Sequence, residues 1–302
     1  MTLLRMTDRI CEDLKARIGI DRAKGTYPAY YYMRRTLGEF IQWQFKTKDI
    51  AFGQLSEQFI HDYQNFVMDV KGYAVDTVRH YLAILKKICR IAYKEGYAER
   101  CHFANFTLPK QSERTPRALS REDFEKIRDV EIPACRTTHI LVRDLFLFAC
   151  YTGTAYADAV SVTRDNLYTD DDGNLWLKYR RKKNELQASV KLLPEALALI
   201  EKYHDDNRPT LFPMVRHPNL RQHMKSLAVL AGVSSTLCYH QARHSFASLI
   251  TLEAGVPIET ISRMLGHSDI TTTQVYARVI PKKLFEDMDK YIEATKDLKL
   301  IL

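Results

Sequence analysis

From Tyr27 to about Phe106, and again over much of the chain beyond residue 120, apolar residues recur every three or four positions; over 166–194 this gives way to alternation bounded by turn-forming residues. A chain patterned in this way cannot build an extended sheet. It must be mainly α, with a small sheet set into it. From Tyr27 to about Phe106 the pattern is helical throughout, predicting helices near 28–46, 55–70 and 75–95, and nothing there reads as a strand. Further helices are predicted near 120–130 and 137–152. In "NLYTDDDGNLWLKYRRKKNELQASVKLLP" the "DDDGN" turn, the alternation around Trp176 and Leu177 and the second polar tip "KKNEL" predict a three-stranded antiparallel sheet. Helices then resume.

Around "TLPKQSERTPRALS" (107–120) the apolar periodicity stops and prolines and charges take over; Ser120 with Asp123 then offers a new helix start. This divides the chain into a helical domain over 1–110 and a mostly helical domain with the small sheet over 111–302, each large enough for its own core. The net charge of +8 suits a polyanionic partner. It is uneven: residues 1–110 hold 18 Lys and Arg against 12 Asp and Glu, net +6, leaving +2 for the rest. No apolar run reaches the roughly 18–20 residues that span a bilayer, and the N-terminus has no secretory pattern, so a cytoplasmic location is expected. The six cysteines are scattered without a Cys-x-x-Cys pair and read as reduced core thiols. Trp43 and Trp176 read as core or sheet packing.

The helix "RHYLAILKKICRIAYK" (79–94) is two-faced. At about 100° per residue, Arg79, Lys86, Lys87, Arg90 and Lys94 fall within roughly one third of the circumference, opposite Leu82, Leu85, Ile88, Cys89 and Ala92. Alone, such a stripe is an ordinary solvated face. It is also the footprint wanted for phosphate contacts along a duplex.

Near the C-terminus, "GVPIETISRML" places Ile258, Ile261 and Leu265 on one helix face, with Gly266 as a left-handed terminator, so His267 lies just past a helix end. Thr271 with Gln274 matches a capping box, predicting a short helix from Thr272 that carries Tyr276 and stops before Pro281. Upstream, "HQARHSFASLITLEAG" (240–255) reads as a helix with His240 and Arg243 on one face. His240 and His244 are one turn apart, but the residue after the first histidine is Gln241 where a zinc motif wants glutamate, so no metal site is expected. His244 reads as a structural or supporting residue.

Order and spacing together are more specific: Lys182 on a hairpin, His-x-x-Arg at 240–243, Leu-Gly-His at 265–267, then Tyr276. This resembles the tyrosine recombinase (phage integrase) family, most closely in "HQARHSFASLITLEAGVPIETISRMLGHSDITTTQVYARV", and the likeness spans nearly the whole chain. It implies a helical core-binding domain that clamps DNA, followed by a catalytic domain. The implied activity is site-specific recombination: Tyr276 attacks a DNA phosphodiester to give a 3′-phosphotyrosyl link, without metal or cofactor. The partners implied are double-stranded DNA and, in the synaptic complex, a homotetramer. The chemistry needs a nucleophile, positive charge on the non-bridging oxygens and a proton for the leaving 5′-oxygen. Arg243 offers a planar fork to phosphate oxygens, His267 a further donor, and His240 help with the phenolic proton. By its position in "RRKKNELQ" the resemblance implies Lys182 as the general acid, with a register that can shift by one or two residues among its basic neighbours Arg180, Arg181 and Lys183.

One position departs from the family. Where the pattern Thr-Gly-x-Arg is usual, this chain reads "YTGTAYAD", with Ala155 in place of the first arginine and Asp158 in place of the following acid. Arg180, Arg181 or Lys183 could substitute, and Asp158 is expected to orient neighbours. Two alternatives follow: a DNA-binding relative with catalysis impaired by Ala155, and a type IB topoisomerase-like enzyme. The segment 284–302 resembles the tail that family members pass to a neighbouring subunit. Integrases of mobile elements often carry an arm-binding module ahead of the core-binding domain; residues 1–26 are too short for one, so either the protein works without arm sites or the chain is a fragment.

Overall fold

A computed structural model of the chain describes residues 1–22, 25–112, 117–234, 236–277, 289 and 293. It divides into two compact units, Met1–Glu113 and Arg114–Leu302. Apart from Asp289 and Glu293, the tail expected over 284–302 lies outside the described residues.

In the first unit, α1 (Leu3–Ala16) is a helix that the sequence reading left unassigned. Its cap is remote in sequence: the Asp49 carboxylate accepts from the Thr2 hydroxyl (2.5 Å) and the Leu4 N–H (2.9 Å), satisfying donors that a helix start leaves open. Then come α2 (Thr26–Phe45), α3 (Glu57–Asn65), whose Ser56 cap accepts from the Phe59 N–H, and α4 (Val75–Lys94). Helix α3 runs on in wider π-type turns to Val70. The core centres on Phe40, whose ring meets Phe59, Tyr63 and Phe66 at 5.2–5.5 Å between centroids. On α4, Leu82, Leu85, Ile88, Cys89 and Ala92 are buried, the face expected from the angles.

The opposite, basic face of α4 is less free than the sequence suggests. Arg79 donates to the Pro109 carbonyl and Lys86 to the carbonyls of Ala104 and Phe106, so two of the five cations hold the segment that follows α4. Trp43 also departs from expectation. It is 49% exposed and packs one side on Phe66, while Trp176 sits in the sheet with its indole N–H on Asp170. Of the cysteines, Cys11, Cys89 and Cys150 are buried as expected of core thiols, whereas Cys135 and Cys238 are exposed.

In the second unit, α5 (Arg121–Asp129) starts at Ser120, whose hydroxyl accepts from the Asp123 N–H. Next, α6 (Thr137–Thr152) runs through the core with Leu145 to Tyr151 all buried. The buried carboxylate of Asp144 on α6 is compensated by Arg143, Lys202 and Tyr203, the last two reaching over from later in the chain. The short α7 (Tyr156–Ala159) leads to the sheet β1 (Leu167–Thr169), β2 (Leu175–Arg180), β3 (Gln187–Lys191), antiparallel throughout, with Leu177 opposite both Leu167 and Val190. Along β2, Leu177 and Tyr179 point into the core and Lys178 and Arg180 outward, and the alternation carries Arg181 inward.

After α8 (Pro194–Lys202) and α9 (His217–Leu230), α10 (Tyr239–Ser245) continues in π-type turns from Phe246 to Leu252. Helix α11 (Ile258–Leu265) ends at Gly266 with φ +60, as its sequence predicts, and α12 (Thr271–Ala277) follows at once. The start of α12 differs in detail: the Asp269 carboxylate accepts from the Thr271 N–H (2.9 Å), so Asp269 supplies the cap and the expected Thr271–Gln274 box does not form. Among the described residues, no helix is long and apolar enough to cross a membrane.

Candidate active site

The centre of the second unit is a guanidinium sealed from solvent. Arg243 on α10 is 1% exposed; it donates to the Gly153 carbonyl (2.6 Å) and to the Leu265 carbonyl (2.5 Å). These oxygens lie at the C-terminal ends of α6 and α11, where unpaired carbonyls and the helix dipole favour a cation. Gly153 has φ +69, and a Cβ there would stand 2.6 Å from Phe246 and 2.7 Å from Leu265, so only glycine lets this carbonyl approach. Burial, with Arg181 close by, lowers the Arg243 pKa to about 10. Two of its five N–H groups are spent on the carbonyls, which leaves three for a ligand.

Arg181, at the inner end of the β2–β3 hairpin, is the second buried cation. It donates from Nη1 to the Gly266 carbonyl (2.9 Å), and its Nε lies 3.8 Å from Asp158 without a hydrogen-bond partner. A second polar atom without a hydrogen-bond partner lies next to it: the buried Tyr179 hydroxyl, two residues earlier on the same strand face, with its pKa pushed up to about 12 by burial against the pull of Arg243. Asp158 holds the hairpin by accepting from the Lys182 N–H (2.8 Å). The acid thus orients its neighbours, as expected of it.

Tyr276 on α12 is 4% exposed, and its hydroxyl shares a 3.0 Å hydrogen bond with His244 Nδ1. Burial raises the phenol's pKa, while Arg243 and Arg181 pull it down. The His240 ring stands edge-on to His244 at 4.4 Å between centroids; the residue is exposed on its outer side, and partial desolvation of the ring together with Arg243, Lys183 and Arg181 lowers its pKa. His267 shares a 2.7 Å hydrogen bond with the buried Thr273 hydroxyl, which accounts for one of the three consecutive threonines. Burial first, then Arg243, brings its pKa to about 4. Gln241 caps α10, its side-chain oxygen accepting from the Cys238 N–H (2.6 Å). Among the described residues no cluster of three or more His, Cys, Asp or Glu could hold a metal ion.

The phage integrase family model matches residues 118–283, and that of the phage integrase SAM-like domain matches residues 2–108. The chain belongs to the phage integrase family. Its relatives include the tyrosine recombinase XerD of Listeria monocytogenes serovar 1/2a, 25% identical over 269 residues, covering 83% of this chain and 87% of the relative. The fold is shared with a XerH site-specific recombinase bound to its palindromic difH substrate (TM-score 0.72, 18% identity, 95% of this chain and 84% of that one). It is shared also with a lambda integrase tetramer bound to a Holliday junction (TM-score 0.69, 16% identity, 91% and 77%).

Within this family member, the structure brings Tyr276, Arg243, His240 and His267 around one centre, with Tyr276 and Arg243 buried, His267 half-buried and His240 exposed at the rim. It adds Arg181, named in the sequence only as one of three possible stand-ins at the hairpin, and His244, read only as a supporting residue. Arg180 turns outward and donates to the Glu185 carbonyl across the hairpin, so it is not aimed at the centre. Lys182 and Lys183 both lie on the exposed tip; it is the charge of Lys183 that His240 feels. Sequence held a signal for Arg181 in the inward alternation of Leu177 and Tyr179. For His244 the signal was its one-turn spacing from His240.

Proposed function

We propose that this enzyme of the tyrosine recombinase family cleaves and rejoins DNA at specific sites, with Tyr276 as nucleophile and Arg181 in the place left by Ala155. The reading is carried by one observation: two buried guanidiniums, three histidines and two phenols gather at a single centre, where the Arg181 Nε and the Tyr179 hydroxyl lack hydrogen-bond partners. A scissile phosphate is the anion that fits such a donor set. Its non-bridging oxygens would take the free N–H groups of Arg243, the Arg181 Nε–H and the Tyr179 hydroxyl.

The phenolic oxygen of Tyr276 attacks phosphorus and loses its proton, the bond to the 5′-oxygen breaks, and that oxygen leaves with a proton from the hairpin. We assign receipt of the first proton to His240, whose lowered pKa leaves it neutral at pH 7 and whose ring stands against His244 beside the phenol. The donor of the second is a hairpin lysine, and its charge at His240 favours Lys183 over Lys182. Attack by a 5′-hydroxyl on the 3′-phosphotyrosyl link reverses the step, so bond energy is kept without ATP or metal. Double-stranded DNA is the partner, with Lys87, Arg90 and Lys94 of α4 as phosphate contacts of the core-binding unit. By likeness to the lambda integrase tetramer, four copies act together on two DNA sites.

A duplex selected by the protein from a random pool, then nicked at successive positions to trap the intermediate, provides the test. The native protein should leave a covalent protein–DNA adduct and Tyr276→Phe none. An adduct formed by Tyr276→Phe would remove Tyr276 as nucleophile. A native protein that binds the duplex without any adduct would favour the catalytically impaired reading.

A further inference from the structure

The contact that no chemical step above uses is the one between His244 and the nucleophile. Its Nδ1 lies 3.0 Å from the Tyr276 hydroxyl, and the two rings are 5.5 Å apart between centroids. His244 sits on α10 directly after Arg243, whose guanidinium is fixed to two main-chain carbonyls. Tyr276, by contrast, rides on a seven-residue helix beyond a tight corner. A helix that short is not held in place by its own hydrogen bonds. We propose that His244 is a positioning residue: by accepting the phenolic hydrogen on Nδ1, it ties α12 to α10 and keeps the Tyr276 oxygen beside Arg243 of its own chain.

The role requires a lone pair and not a proton transfer. Burial, with His240 and Arg243 adjacent, brings the His244 pKa to about 4, while that of Tyr276 stands above its ordinary value, so the hydrogen stays on the phenol and the imidazole is a neutral acceptor. Asparagine can place an acceptor oxygen near the position of Nδ1 but cannot serve as a base at any accessible pH. Leucine fills the volume and offers no acceptor.

This inference rests on Tyr276 being the nucleophile. The experiment is single-turnover adduct formation on the nicked duplex, with DNA affinity measured in parallel, for the native protein, His244→Leu, His244→Asn and Tyr276→Phe. Loss of one neutral hydrogen bond should slow His244→Leu about five- to tenfold at unchanged DNA affinity, and His244→Asn should recover to within about threefold of native. His244→Leu reacting at the native rate would show that Tyr276 is held without His244. His244→Asn as slow as His244→Leu would show that the imidazole works by moving a proton, and the positioning role would fall. Should leucine disturb the fold, seen as lost DNA binding, the asparagine variant alone decides by the same criterion. An adduct with Tyr276→Phe would overturn the choice of nucleophile instead, so the two failures are told apart.

Discussion

Arg181→Ala isolates the question raised by Ala155. In the native protein Arg181 gives one N–H to Gly266, leaves its buried Nε without a hydrogen-bond partner, and lies close enough to Arg243 to depress that residue's pKa. Removing one preorganised donor from a charged transition state costs about 10²–10³ in rate, or roughly 2.7–4 kcal/mol of barrier. The fold also loses something. The bond to Gly266 contributes about 1 kcal/mol and the buried Asp158 carboxylate loses the charge 3.8 Å from it, offset in part because Asp158 keeps the Lys182 N–H and Arg243 is parted from a like charge. We therefore expect the rate of adduct formation by the folded protein to fall at least a hundredfold while unfolding free energy in urea falls by about 2–4 kcal/mol. Arginine introduced at 155 in the Arg181→Ala background should restore at least tenfold of that rate. An Arg181→Ala protein that forms adduct within about threefold of native would refute the assignment, because no donor essential to the phosphate would then have been removed.

Lys183→Ala should abolish cleavage of ordinary DNA, yet cleave a duplex with sulfur at the bridging 5′ position, since a thiolate leaves without a proton; Lys182→Ala should show neither effect. Gly153→Ala must adopt φ +69 and place a methyl 2.6 Å from Phe246, so urea denaturation should show a loss of about 2–4 kcal/mol. Acid should weaken the site. His244 and His267, both near 4 in the fold against 6.5 unfolded, contribute stability that is present above pH 6.5 and is lost as pH falls toward 4. The full difference corresponds to at most about 3 kcal/mol each, and partial exposure reduces this to roughly 1–2. His267→Asn should therefore show a smaller drop in urea midpoint than the native protein between pH 7 and 4.5, and an equal drop would contradict the burial of that imidazole.

The parts of this fold that the sequence declares are those settled within a few residues. Apolar spacing alone places α2, α4, α6 and α11, and the alternation around Trp176 places the sheet. Where a remote group decides, the sequence is silent. Helix α1 takes its cap from Asp49, and Arg79 and Lys86 look like free phosphate contacts until the chain returns and covers them with carbonyls. The site shows the same division. Tyr276, Arg243, His240 and His267 are legible from order and spacing. That His244 meets Tyr276 depends on how α10 and α12 pack, and that Arg181 rather than Arg180 faces inward depends on the phase of β2.

The oxygens that anchor Arg243 belong to the peptide backbone, which every amino acid carries alike. Where this guanidinium sits is accordingly decided by the position of two helix ends and by glycine at 153. A guanidinium moored to main chain in this way takes nothing for its footing from the residue at 155, alanine or arginine alike.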